Sequence, residues 1–189
     1  MASRAGVQPW RRIDGQVIAN YRIFRMADET YARPDGAGEF GFYVILSDDW
    51  VNVVPVTPEG KVVLIRQWRA GSDEVAIEVP GGLVDPGEDP LDSAGRELEE
   101  ETGYRCEKVV RTGRLRPNPA IQRNFLHTFL AIGARPHGPP RLEEREDIET
   151  FEATWSEIDA MIRSGAIDHA LVINSLEFAR RALAEGAGR

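Results

Sequence analysis

The first half of the chain alternates short apolar runs with turn residues, which is the pattern of a β-rich segment. Between Val17 and Val79, β-branched and aromatic runs are separated by PDGAG, SDD and TPEG. We predict a strand from each run, and the runs read VIANYRIFRM, FGFYVIL, WVNVVPV, KVVLIRQW and VAIEV. Further strands are predicted around Lys108 to Leu115 and Phe125 to Ile132, separated by a loop that contains PNPAIQ.

Helical spacing begins after the glycine- and proline-rich stretch PGGLVDPGE. Asp89 before Pro90 has the features of an N-cap followed by proline at the first helical position. Gly103 is a natural helix stop. We therefore predict a helix from about Pro90 to Thr102.

Two further helices are predicted toward the C-terminus. In WSEIDAMIRSG, Ser156 and Asp159 stand three residues apart, as in a capping box. Asp168 is the expected cap of the last helix, whose apolar face comprises Val172, Leu176, Ala179 and Leu183. The acidic stretch LEEREDIE, ahead of both helices, is predicted to be a loop.

Composition and charge limit the classes of function. With 189 residues, 42% of them hydrophobic and 29% charged, the chain is expected to fold as one domain with at most a small appendage. The net charge of −8 argues against binding nucleic acid or anionic membranes through overall charge, so a site for anions needs local cations. MASRAGVQPWRRIDG lacks the apolar core of a signal peptide, and the single Cys106 suits a reducing compartment, so we expect a soluble cytoplasmic protein.

The stretch RELEEETGY places its acids unfavourably. On a helical wheel, Glu97, Glu100 and Glu101 share one sector, whereas Glu99 points elsewhere. This sector borders the expected apolar stripe of the helix, which consists of Leu91, Ala94 and Leu98. Like charges one turn apart, near the negative end of the helix dipole, cost stability and bring no structural gain.

A run of glutamates is most simply a solvated helix face. The alternative is a site for a hard divalent cation such as Mg²⁺ or Ca²⁺, because clustered carboxylate oxygens are its preferred ligands. Upstream, Gly81, Gly82 and Gly87 allow the backbone to approach a ligand closely, although such a loop can equally be a plain turn. Arg96, one turn before Glu100, can fix a carboxylate by an ion pair.

Taken together, these residues resemble the Nudix box. Gly82 is followed after five residues by Glu88, and after seven more by Arg96-Glu97-Leu98-x-Glu100-Glu101-x-Gly103-Tyr104, which reproduces the motif without a gap. The resemblance implies the α/β/α sandwich of this superfamily, with a mixed sheet, over residues 46–189. Residues 1–45 would form an N-terminal antiparallel β extension. Gly95 stands where alanine is expected, and we infer that it packs closely against the sheet.

The resemblance also implies hydrolysis of a nucleoside diphosphate linked to another group. The implied metal ligands are Glu97 and Glu101, with Glu100 as an additional or water-mediated ligand and the Gly81 carbonyl completing the shell. Arg96 and Glu88 would brace the site. The metal would be Mg²⁺, with Mn²⁺ as an alternative, and would neutralise the pyrophosphate and activate water for attack at phosphorus.

A general base is expected outside this helix. In the ADP-ribose and nucleotide-sugar branch of the superfamily, the general base is commonly a glutamate on a loop that follows the box in sequence. The matching stretch here is EEREDIE. We predict Glu146 as the base, with Glu144 second; a solvated acidic loop is the alternative. The same branch has a segment similar to KVVLIRQWRAG, followed by a short link to a segment similar to EVPGG. In that branch the arginine that matches Arg69 contacts the diphosphate. A solvent-facing arginine at the strand end is the alternative.

Substrate contacts and assembly follow from the same resemblance. Pro119 lies fifteen residues beyond the last position of the box, a spacing that resembles the ADP-ribose pyrophosphatase signature. Tyr21, Phe24 and Trp10 can stack on a base or can pack in a core or interface. Because N-terminal strands in this branch often build a homodimer, we expect residues 1–45 to support dimerisation and substrate binding. No role is assigned to His127, His137 and His169, which lack metal-ligand spacing.

The leading hypothesis is a metal-dependent hydrolase of ADP-ribose or a related nucleoside diphosphate sugar, which yields a nucleoside monophosphate and a sugar phosphate. An alternative is hydrolysis of nucleoside triphosphates, dinucleoside polyphosphates or RNA 5′ ends, although RNA predicts a basic groove and the chain has no strong Lys/Arg cluster. A third is a non-catalytic nucleotide-sugar sensor. Such a sensor would tolerate loss of the box carboxylates, whereas this chain keeps every one.

Overall fold

The computed structural model of the protein describes residues 6–187, which divide into two compact units. The first unit comprises residues 6–48 together with Arg116–Asn124, and the second comprises the rest of the described chain. The letters MASRA, part of the stretch assessed above for a signal peptide, lie outside the described residues. Within residues 6–187, no helix has both the length and the apolar character needed to cross a membrane.

The first unit is built on a three-stranded antiparallel sheet of β1 (Arg11–Asn20), β2 (Arg25–Ala32) and β3 (Glu39–Leu46). The prediction that VIANYRIFRM forms one strand is wrong, because the chain reverses within it. The Tyr21 N–H donates to the Phe24 carbonyl at 2.9 Å and closes the turn between β1 and β2. This turn contains neither glycine nor proline, so its composition does not distinguish it from a strand.

The second unit contains a seven-stranded sheet with the order β12-β5-β4-β10-β9, to which β6 adds on β5 and β7 adds on β4. Strands β4 and β10 pair in parallel and the other pairs are antiparallel, so the sheet is mixed, as expected. A separate pair consists of β8 and β11. The strands are β4 (Trp50–Val56), β5 (Val62–Arg69), β6 (Glu74–Glu78), β7 (Gly81–Leu83), β8 (Tyr104–Arg105), β9 (Lys108–Leu115), β10 (Leu126–Ile132), β11 (Arg135–Pro136) and β12 (Ile148–Ala153).

The helix predicted around the glutamates is present as α1 (Pro90–Thr102), with the predicted bounds. Asp89 caps it by accepting a hydrogen bond from the Leu91 N–H at 2.8 Å. Gly103 ends it in the left-handed conformation, with φ of 71°.

The caps of α2 (Trp155–Ser164) and α3 (Ala170–Ala184) differ from the prediction. Thr154, two residues before the predicted cap Ser156, is the N-cap of α2 and forms the capping box with Glu157. The N-cap of α3 is His169 instead of Asp168, and it makes no side-chain capping bond.

The helices lie on both faces of the second unit's sheet and form the predicted α/β/α sandwich. Helices α2 and α3 pack against the face that presents Val54, Val62 and Leu64. Helix α1 packs, through Leu98, against the opposite face, which presents Val53 and Phe129. The acidic helix is therefore fixed against one face of the sheet by an apolar core.

The buried side of α1 is turned relative to the predicted stripe. Leu91 is 41% exposed, so its assignment to the stripe is wrong. The residues of α1 that are buried are Ser93, Ala94, Glu97, Leu98, Glu101 and Thr102. The core side of this helix therefore includes the carboxylates of Glu97 and Glu101, whereas the helical wheel predicts that the acids border the apolar stripe.

Gly95 does not pack closely against the sheet, contrary to our inference, because nothing beyond the backbone of its own helix lies within 4 Å of the position that a Cβ would take. Gly95→Ala is therefore expected to raise the free energy of unfolding by about 1 kcal/mol, the difference in helix propensity between the two residues. Urea denaturation measures it. Gly103→Ala is the matched control and should destabilise, since φ is positive there and a Cβ would collide with the Gly138 carbonyl. An unchanged or lower stability for Gly95→Ala would contradict this description.

Candidate active site

Glu97 and Glu101 lie side by side on the buried face of α1, against the glycine loop. Their exposed fractions are only 9% and 3%. The Gly81 N–H donates to Oε2 of Glu101 at 2.8 Å. A Cβ on Gly82 would lie 2.7 Å from Cδ of Glu97, so only glycine leaves room for that carboxylate. The backbone of this loop was predicted to approach a ligand closely, and in the structure it lies against the side chains of Glu97 and Glu101.

Arg96 links three acids: two of its nitrogens bind Glu88, and the third binds both Glu97 and Glu100. Its Nε and Nη2 donate to Glu88 at 3.1 and 3.0 Å, and this pairing holds the pKa of Glu88 down at about 2. Its Nη1 donates to Glu97 at 2.9 Å and to Glu100 at 3.0 Å. Because the Glu88 contact uses separate atoms, Arg96 can release Glu97 and Glu100 and remain anchored.

The two buried glutamates are electrostatically unfavourable as carboxylates. Burial raises the pKa of Glu97 to about 7, although the adjacent Arg96 acts in the opposite direction. Burial raises the pKa of Glu101 to about 8 against the hydrogen bond from Gly81, and repulsion from Glu97 and Glu146 adds to it. Without a further cation, one or both side chains hold a proton near neutral pH.

This arrangement predicts how the stability of the metal-free protein depends on pH. Between about pH 4.5 and 8 the folded chain binds more protons at Glu97 and Glu101 than the unfolded chain, so the free energy of unfolding falls as pH rises. We expect a loss on the order of a few kcal/mol between pH 5.5 and 8.5 in EDTA, measured by urea denaturation. Glu97→Gln combined with Glu101→Gln should flatten this dependence. A wild-type stability that rises over the same interval would contradict it.

The donor set fits a hard divalent cation. Shielded carboxylate oxygens beside a glycine backbone are typical of Mg²⁺ and Mn²⁺ sites, and a cation here would remove the cost of burying two acids. Among residues 6–187, no three His, Cys, Asp or Glu side chains stand grouped as a ready-made site. Instead, Arg96 Nη1 bridges Glu97 and Glu100, so binding requires that this nitrogen withdraw.

Arg69 lies at the end of β5 and is held by Glu78, a contact that the sequence did not reveal. Its Nε and Nη2 donate to the two carboxylate oxygens of Glu78 at 2.8 and 2.9 Å, while His169 Nδ1 lies 3.7 Å from Oε2. These three residues line a cavity of about 310 Å³ together with Gly81 and Gly82. Arg69 is therefore an exposed arginine that is ion-paired through Nε and Nη2, and its Nη1 makes no hydrogen bond to the described residues. His169, to which we gave no role, is part of the cavity wall.

Of the two candidate bases, the structure couples Glu146 to the acidic site. Its charge contributes to raising the pKa of Glu97 and of Glu101, and its Oε2 accepts from the Glu143 N–H at 2.8 Å. Glu144 is exposed and makes no side-chain hydrogen bond to the described residues. Of the two, Glu146 is the one that acts electrostatically on the buried pair.

The remaining predicted contacts belong to the first unit and fall into two places. Trp10 and Pro119 line a cavity of about 340 Å³ with Tyr31 and Phe42. The rings of Tyr21 and Phe24 contact each other at the β1–β2 turn in a tilted arrangement, with centroids 4.9 Å apart, and line a smaller recess of about 110 Å³. Within this unit the four side chains do not form one site.

The chain is similar to known proteins in both sequence and fold. A family profile described as NUDIX domain matches residues 48–176. The chain is 31% identical over 129 residues to an ADP-ribose pyrophosphatase of Bacillus subtilis (strain 168), covering 68% of this chain and 70% of that protein. It is 30% identical over 175 residues to a GDP-mannose pyrophosphatase of Cronobacter sakazakii, covering 88% and 81%. A crystal structure of an ADP compounds hydrolase superposes with a TM-score of 0.84 over 97% of this chain and 99% of that chain; at 19% identity this likeness concerns the fold.

Proposed function

The chain belongs to the Nudix hydrolase family, and we propose that it cleaves the pyrophosphate bond of ADP-ribose or a related nucleoside diphosphate sugar in a metal-dependent reaction. The observation that carries this proposal is the pair of buried glutamates, Glu97 and Glu101, packed against the glycine loop. Such a pair is costly in a metal-free protein and suits a cation that also binds a pyrophosphate. Glu100 and the Gly81 carbonyl would complete the metal shell.

The residues around the metal ligands supply binding and proton transfer. The bound Mg²⁺ or Mn²⁺ would supply charge neutralisation and lower the pKa of water. Arg69, fixed by Glu78, would hold the diphosphate through its remaining Nη1 donor. Glu146 would accept the proton of the attacking water, and Arg96 would stay anchored on Glu88. The products are a nucleoside monophosphate and a sugar phosphate.

The nucleoside diphosphate sugar class is supported by Arg69 and by the names of two relatives. Arg69 lines a cavity shared with Gly81 and Gly82, so a cation for the diphosphate stands beside the metal-binding loop. The two relatives are called ADP-ribose and GDP-mannose pyrophosphatases. We also propose that aromatic side chains of the first unit contact the base, with two separate candidate places: the cavity that Trp10 and Pro119 line, or the recess that Tyr21 and Phe24 line.

We also propose that residues 1–45 form an extension that builds a homodimer, and that the protein works in the cytoplasm. Support for the dimer comes from the exposed apolar side chains of the first unit, which include Val17, Ile18, Ile23 and Tyr43. The free Cys106 suits a reducing compartment. Sedimentation of a stable monomer at micromolar concentration would refute the dimer.

A substrate panel tests the proposed function. ADP-ribose, ADP-glucose, GDP-mannose, UDP-glucose, dGTP and a dinucleoside polyphosphate should be assayed with Mg²⁺ and with EDTA. We expect cleavage of at least one nucleoside diphosphate sugar to a nucleoside monophosphate and a sugar phosphate, abolished by EDTA. Robust triphosphate cleavage without any sugar-nucleotide activity would reject the proposed substrate class.

A further inference from the structure

Gln67 in β5 is a buried polar side chain whose carbonyl oxygen is unsatisfied. The residue is 7% exposed, and its Oε1 is shielded from solvent with no hydrogen-bond partner among residues 6–187. A buried acceptor without a donor costs about 1–3 kcal/mol, so such groups call for an explanation. Neither the fold nor the roles assigned above use this oxygen.

The alternation of β5 places Gln67 on the same face of the sheet as the acidic helix. Val62 and Leu64 point toward α2 and α3, so residues 63, 65, 67 and 69 point to the opposite face, against which α1 packs. Arg69 is two residues along the same strand and therefore on the same face. Gln67 is thus next to the arginine proposed to hold the diphosphate.

The neighbouring strand brings the loop of the proposed base to the same place. Ile148, at the start of β12, pairs directly with Gln67, and Glu146 precedes Ile148 by two residues. The charge of Glu146 reaches the buried pair, Glu97 and Glu101, and also Arg69. Gln67 therefore lies between Arg69 on its own strand and the segment that carries Glu146.

A second unsatisfied oxygen lies on the same face. Thr150 pairs with Ile65 and is diagonal to Gln67 across the ladder. Its Oγ1 is also shielded and has no partner among the described residues. Two shielded oxygens without a partner therefore lie near each other on this face, and a bound water could satisfy one or both of them.

We propose that Gln67 is a catalytic residue that holds the attacking water, an inference that rests on the function proposed above. Oε1 accepts one hydrogen of the water and the Glu146 carboxylate accepts the other as a proton. The water oxygen forms the new bond to phosphorus, while the bond from phosphorus to the bridging oxygen breaks. The bridging oxygen leaves with the electron pair of that bond on the second phosphate. None of the described residues donates to Oε1, so this oxygen can accept from the water.

The test is Gln67→Met, which keeps the length of the side chain and removes its amide. We expect kcat to fall about tenfold to 100-fold, because a misplaced reacting group costs up to about that much, with KM changed by less than about twofold. The affinity for a methylene-bridged analogue of the best substrate, measured by calorimetry, should stay within about twofold as well. The metal-free variant should unfold at the same or higher urea concentration, since an unpaired acceptor has been removed.

Thr150→Val is the matched control, because it removes the other unsatisfied oxygen on the same face. It should leave kcat within about threefold, as a hydroxyl that does not touch the reacting water is expected to. If a purely structural water joins the two side chains, both variants will lose stability while kcat is unchanged, and the inference falls. It also falls if Gln67→Met keeps full kcat. A wild-type protein inactive on every sugar nucleotide would instead reject the proposed function.

Discussion

Replacing Glu101 with glutamine should lower kcat by more than about 100-fold and leave the fold intact. Changing residues that merely orient metal ligands costs roughly 10–100-fold, and Glu101 is proposed as a ligand itself. The substitution is close to isosteric, and the amide oxygen can still accept the hydrogen bond from the Gly81 N–H. Because burial disfavours the charged form of Glu101, the neutral side chain should not reduce the stability of the metal-free protein.

Steady-state kinetics with saturating Mg²⁺ and urea denaturation in EDTA separate these two effects. Glu99→Gln is the matched control on the same helix, since Glu99 points away from the site and pairs with Arg105 and Arg141. This control should retain kcat within about twofold, as expected for an exposed pair. Near-normal turnover of Glu101→Gln would reject its assignment as a ligand.

Glu146→Gln is expected to lower kcat by roughly 10²- to 10⁴-fold, the usual contribution of a general base. The amide cannot accept a proton, whereas it keeps the shape of the side chain and an oxygen for the Glu143 N–H. A second consequence follows from charge, because Glu146 contributes to raising the pKa of both Glu97 and Glu101. The variant should therefore lower both of those pKa values.

The control is Glu144→Gln, which removes an acid from the same loop at an exposed position. It should leave kcat within about twofold. Equal losses in the two variants would mean that the loop acts through its overall charge. Full activity in Glu146→Gln would place the base elsewhere.

The sequence was sufficient where local signals determine the structure. Helix α1 begins and ends as predicted because Asp89 and Gly103 satisfy the terminal N–H and C=O groups through local contacts. The N-caps of the other two helices differ from the predicted residues. For α2, Thr154 and Ser156 are both residue types that cap helices, and the local sequence does not decide between them. The β1–β2 turn was not predicted because most of its residues, Tyr21 to Phe24, are of types that favour strands.

The site was predictable only in part, for a related reason. The spacing of Glu97, Glu100 and Glu101 follows from helix geometry, so their common sector could be read from the chain. Their burial could not, because it depends on which side of α1 meets the sheet. The contact between Glu78 and His169 joins residues that are distant in sequence, so no local sequence pattern predicts it. Gly95, read as a packing residue, has open space around it.

Calorimetric titration of the metal-free protein with Mg²⁺ tests the central claim most directly. At pH 7 we expect saturable binding accompanied by proton release, visible as a dependence of the heat on the ionisation enthalpy of the buffer, because Glu97 and Glu101 lose the protons that burial favours. The release should vanish above about pH 9, where both acids are already ionised. Glu101→Gln should bind much more weakly. Binding that is absent, or that is equally strong in Glu101→Gln, would contradict the account.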